Sequence, residues 1–272
     1  MRPRNALTDF TERRESPMVI GHRGYSSLAP ENTLAAFELI RAHGIEAVEL
    51  DVHRCATGEI VVAHDDTLER TAGVSRAIGD TPFDELREYD VGGFFDARFA
   101  GERVPLLAEV LELLGTNCFF DVEIKHYASR ALRPRPATVE AATVELIRRH
   151  GMVGRCIVSS FDPLVLRRVR LLAPEIPVAA IYASSAEMPY LLRRAGGRAV
   201  SGATVMKPHH ASATVRHIRG QHRRGRLVMP WTVDDPELAL ELAARGADAI
   251  ITNRPGEIRS ALRQARGELL AD

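Results

Sequence analysis

Apolar, β-type runs alternate with helix-patterned stretches along the whole sequence, and this alternation constrains the fold more than any other feature. The strand-like runs are Met18–His22, Ala47–His53, Phe119–Ile124, Cys156–Ser160, Val178–Tyr182, one within Ala199–Met206, Leu227–Thr232 and Ala249–Thr252. Between them lie helical patterns. The first runs from Leu34 to a stop at Gly44, with Asn32 or Thr33 as its cap. The others are Leu106–Leu114, Thr138–Arg149, Leu164–Leu172, Met188–Arg194, Thr214–Arg223, Glu237–Ala244 and Ile258–Arg266. Strand, helix, strand in succession implies parallel pairing. Eight such units imply a closed (β/α)8 TIM barrel, in which active groups gather at the C-terminal ends of the strands.

Two stretches interrupt the rhythm. Ile60–His64 reads as an extra strand, turned back through Thr57-Gly58. Residues 66–104 are long for a connector and read as an insertion over the barrel mouth, with Leu68, Phe83, Leu86, Phe94, Phe95 and Phe99 to bury. Arg133-Pro134-Arg135-Pro136 reads as an exposed loop, and residues 1–16 as a flexible N-terminal arm ahead of one domain spanning 17–272.

The 272 residues carry a formal net charge of 0, which argues against bulk attraction to nucleic acid or to an anionic membrane. No apolar run approaches membrane-spanning length, so no stable membrane insertion is expected. Cys55, Cys118 and Cys156 are too few and too far apart for a disulfide framework or a zinc site. A cytoplasmic location is the expectation.

Chemistry collects at the strand ends. The first strand ends in His22-Arg23, flanked by Gly21 and Gly24, which read as letting the backbone turn sharply and approach a ligand. Glu49 and Asp51 are two apart and share a side of the second strand, which His53 continues; Asp121, Glu123 and Lys125 share a side of the third. The extra strand ends in His64-Asp65. Either Glu49 or Asp51 alone is as well explained by a structural salt bridge as by a metal. Glu49, Asp51 and Glu123 together exceed what Arg23 and Lys125 can screen, and point to one hard divalent cation on oxygen ligands: Mg²⁺, Ca²⁺ or Mn²⁺. With such an ion, Arg23 and Lys125 bring the site to about +1, which suits a phosphodiester. Two imidazoles beside the cluster suit proton transfer on both sides of a displacement at phosphorus. His43, His126, His209, His210, His217 and His222 lack such company and read as background.

Taken together, His22-Arg23-Gly24, Pro30-Glu31-Asn32-Thr33, Glu49-Leu50-Asp51-Val52, His64-Asp65, Val104-Pro105, Glu123-Ile124-Lys125, Trp231-Thr232-Val233 and Ile251-Thr252-Asn253-Arg254-Pro255 resemble the glycerophosphodiester phosphodiesterase family, in the family's order. The resemblance implies a barrel with an insertion after His-Asp. It implies metal-dependent hydrolysis of a small-molecule glycerophosphodiester to sn-glycerol 3-phosphate and an alcohol, by way of a cyclic phosphate. Carried over by position, Glu49, Asp51 and Glu123 hold the metal, His22 and His64 are the acid/base pair, and Arg23 and Lys125 hold the phosphate. Glu31 supports the site and Trp231 lines the pocket. The chain has Asp234 where the family often has Asn, and Asn253 where it often has Asp; neither is expected to touch the central set.

Three rival readings stay open: a lyase that releases the cyclic phosphate, a Schiff-base barrel lyase using Lys125, and a binding module on an inactive barrel. Tyr25, Phe94, Tyr127, Phe161 and Trp231 are available to cup a quaternary ammonium, with packing the expectation for most of them.

Overall fold

The computed structural model describes residues 17–125, 138–183 and 198–269. His126, Tyr127, the loop at Arg133–Pro136 and the helix expected at Met188–Arg194 lie outside the described residues, as does the arm at 1–16.

Eight strands run parallel in the order β8-β7-β6-β5-β4-β2-β1-β9. They are β1 (Met18–His22), β2 (Ala47–Arg54), β4 (Phe119–Ile124), β5 (Cys156–Ser160), β6 (Val178–Tyr182), β7 (Val205–Pro208), β8 (Leu227–Val228) and β9 (Ala249–Thr252). The short β3 (Ile60–Val62) pairs antiparallel with β2 and stays off the barrel. The seam between β8 and β9 is closed by single backbone bonds. Asp248 N donates to Val228 O at 2.9 Å, Ile251 N to Pro230 O at 3.0 Å and Val233 N to Ile251 O at 3.0 Å. Four strand boundaries differ from expectation. β3 stops at Val62 rather than His64, β8 is cut short where Pro208 of β7 has no N–H to donate to it, β7 lies later than expected and includes Lys207, and β2 runs one residue further, to Arg54.

Alternation along each strand divides the core in two. Val48, Leu50, Val52, Phe120, Val122 and Ile124 face outward onto the helices and pack with Phe37, Ile40, Leu107 and Leu111. Ile20, Ala47, Phe119, Ile157, Val205, Leu227, Met229 and Ala249 face inward and fill the barrel floor. The inward positions nearer the C-terminal ends are of another kind: Glu49, Asp51, Asp121, Glu123, Ser159 and Lys207 are all buried. Pleating therefore gives one set of strands a dry floor and a charged mouth.

Residues 66–104 form short helical turns, including Glu69–Ala72 and Phe83–Leu86, around Leu68, Ile78, Leu86, Val91 and Val104, which cluster with Cys55 and Val61. Phe94 and Phe95, expected to be buried, are exposed; Phe95 packs edge-on against Phe99, whose ring carries Arg98. Among the described residues no helix is long and apolar enough to cross a membrane.

Candidate active site

The carboxylates come first, because they dictate the rest. Glu49 and Asp51 on β2 and Glu123 on β4 are buried, and each offers an oxygen within 4.8 Å of the others'. Burial and the neighbouring Asp51 push the Glu49 carboxyl well above its usual range. Burial acts on Asp51 in the same direction, but Lys125 and Arg23 outweigh it and hold Asp51 below the usual range. Lys125 Nζ lies 3.0 Å from Asp51 Oδ1 and 2.7 Å from Glu123 Oε1. Arg23 Nε lies 3.3 Å from Asp51 Oδ2. Glu49 has no Lys or Arg side chain so placed among the described residues: its carboxylate accepts from the backbone N–H of Arg23 at 3.2 Å. A cluster one positive charge short, built from hard oxygen donors, fits a divalent cation of the Mg²⁺, Ca²⁺ or Mn²⁺ kind.

Arg23 and Asn32 both adopt left-handed backbone, with φ of 56° and 57°. Such geometry is uncommon for a non-glycine residue and persists only where contacts impose it. Here the contacts are those of the site. Asn32 N donates to Arg23 O at 2.9 Å, and Asn32 Nδ2 to Asp51 Oδ2 at 2.9 Å. Asn32, expected as a candidate helix cap, leaves that role to Thr33 and belongs to the site instead. Gly21 and Gly24 are required by packing. A Cβ on Gly24 (φ +87°) would sit 2.7 Å from Ala36 Cβ, and one on Gly21 would overlap Ile40.

A second buried group was missed. Lys207 Nζ lies 2.7 Å from Asp121 Oδ2 and donates to Ser159 Oγ at 3.0 Å, while Ser159 Oγ donates to Asp121 Oδ1 at 2.6 Å. Asp121 is thereby neutralised within the barrel, which explains why it stands apart from Glu49, Asp51 and Glu123. Ending the expected strand at Met206 hid Lys207; the inward position two after Val205 was the signal.

The two histidines flank the cluster and differ in their supports. His22, at the end of β1, meets Asn253 Oδ1 through Nδ1 at 2.7 Å, and its Nε2 lies 3.9 Å from Glu49 Oε2. Burial, reinforced by Arg23, lowers its pKa to about 4. His64 meets Asp65 Oδ1 through Nδ1 at 2.7 Å. Asp65 also accepts from Arg70 Nε at 2.7 Å, Arg70 donates to Glu31 at 2.6 Å, and Arg23 donates to the same Glu31 oxygen at 2.9 Å. Glu31 thus ties the His64 side of the mouth to the His22 side. His53, on the inward side of β2, holds the backbone of His64 instead, with Nε2 3.3 Å from His64 O.

The two departures from the family's pattern meet each other. Asn253 Nδ2 donates to Asp234 Oδ2 at 2.6 Å, and through Asn253 the pair reaches His22, contrary to the expectation that neither touches the central set.

Trp231 stands across the mouth. Its Nε1 donates to Lys207 O at 2.8 Å, and its ring meets Phe161 and His209 edge-on at 5.7 and 5.6 Å. His209, read as background, belongs to this aromatic wall. Tyr25 is buried against His43, away from it.

The model of the glycerophosphoryl diester phosphodiesterase family matches residues 22–257. A glycerophosphodiester phosphodiesterase of Caldanaerobacter subterraneus is 32% identical over 248 residues, 91% of this chain and 98% of that protein. Among solved structures, a phosphodiesterase of Oleispira antarctica in complex with the product sn-glycerol-3-phosphate superposes with a TM-score of 0.78 at 30% identity, covering 91% of this chain and 97% of its own. A putative glycerophosphoryl diester phosphodiesterase of Silicibacter pomeroyi gives 0.82 at 28%, covering 96% and 97%. The chain belongs to the glycerophosphoryl diester phosphodiesterase family.

Proposed function

We propose that this phosphodiesterase converts small glycerophosphodiesters to sn-glycerol 3-phosphate and an alcohol, with Glu49, Asp51 and Glu123 holding one divalent cation and His22 and His64 moving the protons. The observation that carries the reading is the unequal support of the two imidazoles beside an undercompensated carboxylate cluster. His22 is oriented by the Asn253 amide and kept neutral by burial and by Arg23. His64 leans on the Asp65 carboxylate, which Arg70 holds in turn, on the opposite side of the cluster. His22 is then the base of the first step and His64 the acid.

When bound, the cation supplies Lewis acidity to the phosphate and lowers the pKa of a coordinated hydroxyl. His22 Nε2 takes the proton of the glycerol 2-hydroxyl as its oxygen bonds to phosphorus, and His64 gives a proton to the departing alcohol. The product of that step is a cyclic glycerol phosphate. Roles then reverse: His64 takes a proton from the attacking water, and His22 returns its proton to the 2-oxygen as the ring opens. Both imidazoles end as they began.

Arg23 and Lys125 hold the phosphate. The interior carboxylates Glu49, Asp51, Asp121 and Glu123 outnumber the cations Arg23, Lys125 and Lys207 by one, so a divalent cation leaves one positive charge for a monoanionic phosphodiester. The ion pairs of Lys125 raise its pKa against the effect of burial, which keeps the amine protonated and disfavours the Schiff-base reading. Trp231, Phe161 and His209 form the wall that receives the alcohol, and residues 66–104 roof the His64 side.

The test is a panel of deacylated phospholipids with enzymatic detection of glycerol 3-phosphate. Release that stops with chelator and returns with Mg²⁺ or Ca²⁺ is expected. A persistent cyclic product seen by phosphorus NMR would establish the lyase instead. No release from any member, with or without cation, would refute the proposal.

A further inference from the structure

We propose that Asp234 and Asn253 form a positioning pair that sets the tautomer of His22 and so leaves Nε2 free of a proton. The inference deepens the reading above, since it rests on His22 acting as base.

The argument is one of donors and acceptors. The Asp234 carboxylate accepts three hydrogen bonds: from Asn253 N at 2.8 Å and Thr252 Oγ1 at 2.9 Å on Oδ1, and from Asn253 Nδ2 at 2.6 Å on Oδ2. An ionised carboxylate can only accept, so the amide of Asn253 has to face it with its NH₂. Its oxygen is therefore committed to the other side, where it lies 2.7 Å from His22 Nδ1 and accepts from Ser26 Oγ at 2.9 Å. An amide oxygen cannot donate, so Nδ1 carries the hydrogen and Nε2 keeps its lone pair. Ser26 Oγ also lies 2.8 Å from His22 O, tying the loop after β1 to the same amide. Asp234 follows β8 and Asn253 follows β9, so the barrel seam and the orientation of the base share one set of bonds.

The decisive variant is Asp234→Asn. The new amide keeps its oxygen on Asn253 N and Thr252 Oγ1 and turns its NH₂ toward Asn253. Asn253 then has to present its oxygen there and its own NH₂ to His22, whose Nδ1 becomes the acceptor. The proton moves to Nε2, and the base is lost. In ¹⁵N NMR of ring-labelled histidine, with His22 assigned by comparison with His22→Gln, the Nδ1–H pattern should give way to Nε2–H. kcat should fall by about 10- to 100-fold, with KM within about twofold. The reciprocal variant, Asp234→Asn with Asn253→Asp, puts a carboxylate against Nδ1–H and an NH₂ donor behind it, and should restore both the Nδ1–H pattern and most of the turnover. An Nδ1–H pattern that survives Asp234→Asn, whatever happens to kcat, overturns the pair as the determinant. A tautomer that moves while kcat does not upholds the pair and refutes His22 as base, so the two claims fail separately. Should Asp234→Asn not fold, Asn253→Ala serves: both tautomers should then be populated, and an unmixed Nδ1–H pattern overturns the proposal.

Discussion

The inward side chains of this barrel form two tiers on the same strands, and the tiers obey different rules. The floor of Ile20, Phe119, Ile157, Val205, Leu227 and Met229 is apolar and buried, which is what stability asks of a barrel interior. Two to four residues further along, the same alternation delivers His22, Glu49, Asp51, Asp121, Glu123, Ser159 and Lys207. These charges are desolvated and only partly compensated, so they cost stability unless something binds. One strand can thus serve both tiers: Phe119 belongs to the floor and Glu123 to the mouth, about 13 Å apart at 3.3 Å per residue. The contrast predicts that mouth variants lose turnover and keep the fold, and that floor variants do the reverse.

The largest expected effects are in the mouth. His22→Ala and His64→Ala should each lower kcat/KM by about 100-fold or more, with far-UV circular dichroism unchanged. The two are separated by leaving group. With a p-nitrophenyl ester of glycerol phosphate, whose phenolate needs no proton, His64→Ala should recover most of its loss and His22→Ala none. Equal recovery, or recovery of His22→Ala alone, would reverse or dissolve the assignment of base and acid.

The floor gives the next effect. Phe119→Ala removes a ring that is 1% exposed and carries Arg155 over its face at 4.6 Å. It should destabilise by about 3–5 kcal/mol in urea unfolding, while kcat/KM at a temperature where it is folded stays within about twofold. A large loss of turnover in the folded variant would show that the tiers are coupled.

The two tiers were unequally legible in the sequence. β5, β6 and β9 fall where their apolar runs place them, because a buried strand has little else to say. The carboxylates of the mouth were legible as a set: Glu49 or Asp51 alone has a bland salt-bridge reading, but three carboxylates exceed what Arg23 and Lys125 can screen. Lys207 was not, since its strand was expected within Ala199–Met206 and ends two residues later at Pro208, and an apolar run does not mark where a short strand ends. The Asp234–Asn253 contact was also out of reach: the bond joins two strand ends across the seam, and no local pattern reports which way an amide faces. Nor does a sequence distinguish a histidine backed by Asn253 from one backed by Asp65, unless, as with His64-Asp65, the partner is adjacent.

The subtlest effect lies within the mouth, where Glu49 and Asp51 should respond to neutralisation in opposite ways. Glu49, pushed above its ordinary value of 4.5, binds a proton in the folded state that the unfolded chain releases. Its contribution to stability therefore falls as pH rises from 4.5 through its folded pKa. Glu49→Gln has no proton to lose, so the cation-free variant should melt above the cation-free parent at pH 7–8, by about 2–4 °C if the gain is about 1 kcal/mol, and the gap should close as pH falls toward 4.5. Asp51 is shifted the other way, below 3.8: its contribution is fully present above that value and is lost as pH falls through the folded pKa. Asp51→Asn should accordingly melt below the parent at neutral pH, because it removes the carboxylate that Lys125 and Arg23 share and leaves each with one partner, Glu123 and Glu31. Saturating Mg²⁺ or Ca²⁺ should then invert the order of Glu49→Gln and parent, since the cation stabilises the protein that binds it and the variant has lost a ligand. Scanning calorimetry with and without cation reads all of this. An unchanged order of melting temperatures would mean that Glu49 is not a ligand and that the undercompensated charge of the mouth has another purpose.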